Sequence, residues 1–231
     1  MDALIALLES NDIFTPNTLM QYWGGLVTTV QLVFLSLIIG LVIAVPLAIM
    51  RASDNPWLSR PVWVYTYVFR GTPLLVQLYM IYYGVTLIDG IQDTFWWEIF
   101  RGAFYPALIA FVLNTAAYTT EIFRGAIEAT PRGEIEAAKA YGMSWARRMR
   151  RIVLPSAFRR AIPAYSNEVI FMLHASAIAS VVTIIDLLGA ARNIYAQYYA
   201  PFPAFIFVAC IYLILTFAIL GVFKQLEKRL L

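Results

Sequence analysis

A chain of 231 residues that is 61% hydrophobic and 13% charged falls far from the roughly 25% charged residues of a soluble domain, which excludes a water-soluble enzyme and marks an integral membrane protein. Its net charge of +3 sits in particular loops, a pattern of cytoplasmic retention rather than of nucleic-acid binding. The lone Cys210, inside an apolar run, has no partner for an internal disulfide, and with a single histidine the chain lacks the residues for a metal cluster.

In chain order, Met1 to Asp12 carries Asp2, Glu9 and Asp12 without a basic residue, so no cleavable signal peptide is expected and the first membrane helix serves as the uncleaved signal. Apolar runs predict spans over residues 26–49, 72–88, 105–127, 163–184 and 203–223, each near the roughly 20 residues that a bilayer requires. The fold class expected is therefore all-α: one polytopic membrane domain of about five helices. Before the second span, Trp63, Tyr65, Tyr67 and Phe69 make an aromatic segment suited to the membrane interface. Thr72-Pro73 reads as the cap and first turn of the next helix, with one kinked helix from Pro61 onward as the alternative.

Between spans three and four lies a loop of residues 128–160. Thr130 is placed to cap a helix beginning at Pro131, and Gly142 permits the left-handed turn that ends it. Ser144 is placed to cap a second short helix carrying Arg147, Arg148, Arg150 and Arg151, which Pro155 is expected to stop. Charge orients the chain. Arg51 and Arg60, eight Lys/Arg from Arg132 to Arg160, and Lys224, Lys228 and Arg229 mark cytoplasmic segments. The opposite loops hold Asp89, Asp93, Glu98 and Asp186 against Arg101 and Arg192, so the N-terminus is expected outside and the C-terminus inside.

Within that loop, Glu136, Ala137 and Ala138 lead to Gly142, and after nine residues follow Ile152, Leu154 and Pro155. The pattern E-A-A-x-x-x-G, nine residues, I-x-L-P resembles the EAA loop of membrane subunits of bacterial ABC importers. Stretches 69–77, 114–125 and 163–173 are similar to the polar amino acid branch. The run from Pro163 into His174 most resembles the HisM type of histidine/lysine/arginine/ornithine importers. The resemblance implies a permease coupled through this loop to ABC ATPase subunits, which bind the ATP and Mg, with no cofactor in this chain. It also implies a second, similar but non-identical permease subunit, a periplasmic substrate-binding protein and surrounding lipid in the bacterial inner membrane.

Polar side chains within a bilayer are candidate pathway residues because they are costly there. Asn114, Asn167, Glu168 and His174 form that set, with Glu168 and Asn114 offering a carboxylate and an amide to a cationic amino acid. The alternatives are structural: Glu168 holding His174 or a backbone N–H, and His174 packing between helices. Glu121 and Arg124, three apart, read as a structural ion pair. Arg70 is expected at the cytoplasmic interface, and Arg192 on the periplasmic surface. No G-x-x-x-x-G-K-[ST] phosphate loop occurs, so ATP hydrolysis belongs elsewhere. His174 and Ser176, two apart on a helix, point away from each other and cannot pair as base and nucleophile. An ion-coupled secondary transporter, relaying protons through Glu121 and Glu168, is the rival reading, and it leaves the EAA loop unexplained.

Overall fold

The computed structural model describes residues 13–230; the acidic N-terminal stretch, and the expectation about a signal peptide, lie outside the described residues. Among those residues there is no strand. The helices are α1 (Pro16–Arg51), α2 (Pro56–Gly71), α3 (Leu74–Thr86), α4 (Trp97–Phe100), α5 (Phe104–Glu128), α6 (Arg132–Ala140), α7 (Trp145–Arg148), α8 (Leu154–Ala175), α9 (Leu187–Tyr198) and α10 (Pro201–Leu230).

Among the described residues, four helical runs are long and apolar enough to cross a membrane: α1, α5, the continuous run Trp145–Val182 that contains α8, and α10. Helix α3, expected as a full span, has 13 residues, or about 20 Å at 1.5 Å per residue, short of the ~30 Å hydrocarbon core. Its start is set by the expected break: Thr72 is extended (φ −117°, ψ 144°), as the residue before a proline prefers, so α2 and α3 are separate helices. At the other end of α2, Asn55 accepts from the Trp57 N–H at 3.0 Å with Pro56 in the first turn, a proper N-terminal cap.

Two loop expectations are corrected. Pro131, not Thr130, occupies the cap position of α6 (φ −55°, ψ 129°); Thr130 is buried, and its hydroxyl accepts from the Arg160 guanidinium at 2.7 Å. Pro155 does not stop the helix. A π turn over Met149–Val153 precedes it and the chain runs on into α8. In an α-helix the proline ring would collide with the carbonyl four residues back, at Arg151; that residue lies in the wider π turn, which relieves the clash.

The chain forms two compact units, and α1, α5, α8 and α10 contribute to both. The first unit comprises the segment up to Ser36, Leu74–Phe111 and Phe171–Ala218. Its core joins Tyr22, Leu187, Ala190, Ala191, Ile194, Ala204 and Val208. Tyr22 Oη donates to the Ala204 carbonyl at 3.1 Å, and the Leu187 N–H donates to Thr29 Oγ1 at 3.0 Å. Buried Asp186 caps α9, accepting from the Gly189 N–H at 2.8 Å.

This packing requires Gly25 of α1. A Cβ there would stand 2.6 Å from the Asp186 carbonyl oxygen and 2.9 Å from its carbon, both backbone atoms that cannot rotate away. Gly25→Ala is expected to lower thermal stability by about 1–3 kcal/mol, the usual penalty for overpacking. At Gly24 a Cβ would meet nothing within 4 Å, so Gly24→Ala should be neutral or stabilising by about 0.5–1 kcal/mol. Thermal unfolding of the two variants checks this; equal midpoints would refute the close α1–Asp186 approach.

The second unit comprises Leu37–Pro73, Val112–Ile170 and Ile219–Leu231. Its core packs Ala48 of α1, Phe123, Ala126 and Ile127 of α5, and Val153, Ala157 and Ala161 around the start of α8. Arg160, which the sequence offered only as one more positive charge, ties this core together. It donates to the Ala126 carbonyl at 3.2 Å, to Thr130 at 2.7 Å and to Ser156 at 2.7 Å. A cation thereby satisfies the carbonyl end of α5, where the helix dipole favours positive charge.

Candidate functional site

The loop that carries the E-A-A-x-x-x-G spacing belongs to the second unit. Helix α6 closes in a Schellman turn: the Met143 N–H reaches the Ala138 carbonyl at 3.0 Å and the Gly142 N–H that of Lys139 at 2.9 Å. Gly142 has φ +69°, the left-handed conformation that glycine adopts without steric cost. Glu136, Ala137 and Gly142 lie on its exposed surface, whereas Ala138 is 3% exposed, so of the two small residues only Ala137 is available to an external partner. Ile152 is half-buried and Leu154 packs against the Phe123 core. These two residues therefore anchor the loop from within, and Pro155 remains exposed.

Sequence reasoning missed the aromatic flanks of the turn. Tyr141 is 89% and Trp145 57% exposed, on either side of Gly142. Large exposed aromatic side chains are candidates for contact with a partner. The signal was present in the sequence, since both are large aromatic residues in a loop of mostly small and charged ones.

In the same unit, buried polar groups lock α2 onto α5. Tyr65 Oη donates to the Leu113 carbonyl at 2.6 Å, Thr66 Oγ1 to Glu121 at 2.9 Å, Asn114 Nδ2 to the Phe69 carbonyl at 3.3 Å, and Tyr118 Oη to the Arg70 carbonyl at 3.3 Å. Phe69 and Arg70 close α2, so their carbonyls lack helical partners. The amide of Asn114 is thus engaged in ending a helix. Glu121 Oε2 lies 2.6 Å from Nε of Arg124. The expected pair belongs to a larger network, with Arg51 3.3 Å from Glu121 and Glu128 bound to Arg124. Arg51 and Glu128 were not foreseen.

Glu168 is 6% exposed, and its Oε1 accepts from Thr115 Oγ1 at 2.7 Å. It holds a threonine, not His174. Asn167, one residue earlier, is exposed and donates to the Pro163 carbonyl at 3.3 Å. His174 belongs to the first unit, where its Nε2 lies 3.1 Å from Thr216 Oγ1. Ser176 donates to the Leu173 carbonyl at 2.6 Å, so the hydroxyl is occupied and no nucleophile–base pair exists at this histidine. A group of three or more His, Cys, Asp or Glu able to hold a metal ion is absent among the described residues.

The sequence profile of the family described as "Binding-protein-dependent transport system inner membrane component" matches residues 36–231. The chain is 49% identical over 206 residues to the histidine/lysine/arginine/ornithine transport system permease protein HisM of Escherichia coli K12, covering 89% of this chain and 87% of that one. It is 42% identical over 217 residues to the octopine transport system permease protein OccM of Rhizobium radiobacter, covering 94% and 89%. Among solved structures, it superposes on a chain of an amino acid ABC transporter crystallised with histidines, with a TM-score of 0.80, 35% identity and coverage of 91% and 94%.

Proposed function

The chain belongs to the family of binding-protein-dependent transport system inner membrane components, and from that premise we propose that it moves basic amino acids of the histidine, lysine, arginine and ornithine class from periplasm to cytoplasm. It is a membrane permease component of an amino acid ABC importer, and it carries no ATPase motif of its own. The observation that carries the mechanism is the loop around Gly142: a fixed glycine turn, flanked by exposed Tyr141 and Trp145, offers a rigid surface to an ATPase subunit that binds ATP and Mg. Closure of that motor draws the loop inward and switches the spans between outward and inward access. A second, paralogous permease completes the translocation path, and a periplasmic binding protein delivers the substrate. Similarity to the octopine permease favours one alternative cargo, an opine such as octopine.

Reconstituted vesicles test the proposal. Arginine uptake should need the ATPase, ATP and the binding protein together, and an excess of lysine should compete. Uptake driven by an ion gradient through this chain alone would overturn it, and competition by octopine but not by lysine would reassign the cargo.

Orientation follows from the Lys/Arg asymmetry, with the N-terminus periplasmic and the C-terminus cytoplasmic. Asp93 and Lys139 are both exposed, as is the free Cys210. In a Cys210→Ala background, Asp93→Cys should react with an impermeant maleimide added to intact cells, and Lys139→Cys only after the membrane is opened. Labelling of Lys139→Cys from outside would invert the topology.

A further inference from the structure

We propose that the second unit carries a binding site for the phosphate of an anionic phospholipid headgroup, in the cavity between α2 and the ends of α1 and α5. The cavity measures about 470 Å³, and Arg51, Arg70 and Arg124 line it together with Trp63, Tyr67 and Glu121. That volume equals roughly fifteen waters at ~30 Å³ each, room for a headgroup rather than for a single small ion.

Charge selects the ligand. Three guanidinium groups share the lining with one carboxylate, Glu121; from outside the lining Glu128 pairs with Arg124 and Glu168 lies in electrostatic range of Arg70. Glu121 is already saturated by Thr66, Arg124 and Arg51, so it adds rigidity and leaves donors over. A guanidinium has five N–H donors; Arg124 uses Nε on Glu121 and Nη1 on Glu128, and Arg51 uses Nη1 on Ser59. The Arg70 guanidinium makes no hydrogen bond or ion pair among the described residues; it lies over the Tyr118 ring at 5.3 Å, with Glu168 in electrostatic range. It is the anchor with its donors uncommitted, and the planar fork suits phosphate oxygens.

The surroundings select a lipid over a free ion. The rings of Trp63 and Tyr67 lie 5.3 Å apart at a tilt of 31° and are 47% and 68% exposed, and Val64 and Val68 on the same helix are 51% and 48% exposed. Exposed aromatic and aliphatic side chains beside arginines form the composition of a membrane interface, where basic pockets at helix ends take anionic headgroups. Inorganic phosphate makes no use of that apolar wall.

The test uses the assembled transporter, stripped of lipid in detergent and titrated with phosphatidylglycerol or phosphatidylcholine, with bound lipid counted by native mass spectrometry. Wild type should retain phosphatidylglycerol in preference to phosphatidylcholine. Arg70→Gln should weaken that retention about tenfold, and Arg70→Lys, which keeps the charge, by much less. Arg60→Gln removes a charge from α2 outside this cavity and should have no effect. Equal retention by wild type and Arg70→Gln, or an equal loss in Arg60→Gln, would overturn the site. Displacement of the lipid by millimolar inorganic phosphate would show a phosphate-ion site and overturn the lipid reading.

Discussion

Gly142→Asp is expected to reduce ATP-driven uptake to background while leaving the permease folded. A Cβ at this position meets nothing within 4 Å, so the substitution displaces no atom of this chain. The remaining cost is conformational: φ of +69° charges a non-glycine residue about 1–2 kcal/mol, and aspartate is among the side chains that tolerate that region best. At the proposed docking surface the balance differs. A carboxylate introduced beside Tyr141 and Trp145 must be buried without a partner when the ATPase docks, a penalty of about 3–5 kcal/mol, or more than a hundredfold in affinity. Gly142→Ala bears the same backbone strain without the charge, so it should keep most of the uptake. The assay compares ATP-dependent arginine uptake and ATPase co-purification for both variants. Wild-type uptake in the aspartate variant would exclude a coupling role, and equal losses in both would assign the effect to the turn itself.

Much of this architecture was legible because apolar length and turn chemistry are local properties. The run at 105–127 matches α5 to one residue at each end and the run at 203–223 lies inside the longer α10, and the glycine turn at 142 follows from one residue's conformational freedom. What the sequence concealed are decisions made by distant partners. Thr130 has the chemistry of a cap, yet Arg160, thirty residues on, claims its hydroxyl. Pro155 has the chemistry of a helix stop, yet a π turn absorbs it because the Val153–Ala161 side of the run is needed in the core. Polarity within a span offered Asn114 and Glu168 as pathway candidates, and helical spacing paired Glu121 with Arg124, but neither revealed the contacts with α2. Only the α2 contacts show that Asn114 closes a helix and that Glu121 organises arginines from two helices.

Glu168 is the buried carboxylate that the proposed function assigns to a cationic substrate. It is buried, and one oxygen is oriented by Thr115 at 2.7 Å, a contact that fixes the carboxylate without neutralising it. A charge-assisted hydrogen bond to an ammonium or guanidinium contributes about 1.5–3 kcal/mol, a tenfold to hundredfold change in affinity. Glu168→Gln keeps the shape, and its amide oxygen can still accept from Thr115, so the packing of α8 on α5 should survive. The expected result is a rise of about tenfold to hundredfold in the arginine concentration needed for half-maximal uptake, with basal ATPase activity and complex assembly unchanged. Thr115→Val supplies the complementary reading. It removes the orienting hydroxyl while keeping the volume and the charge, so uptake should weaken by less than in Glu168→Gln. Wild-type arginine kinetics in Glu168→Gln would show that the carboxylate serves the α5–α8 contact alone, and a loss of assembly in that variant would point the same way.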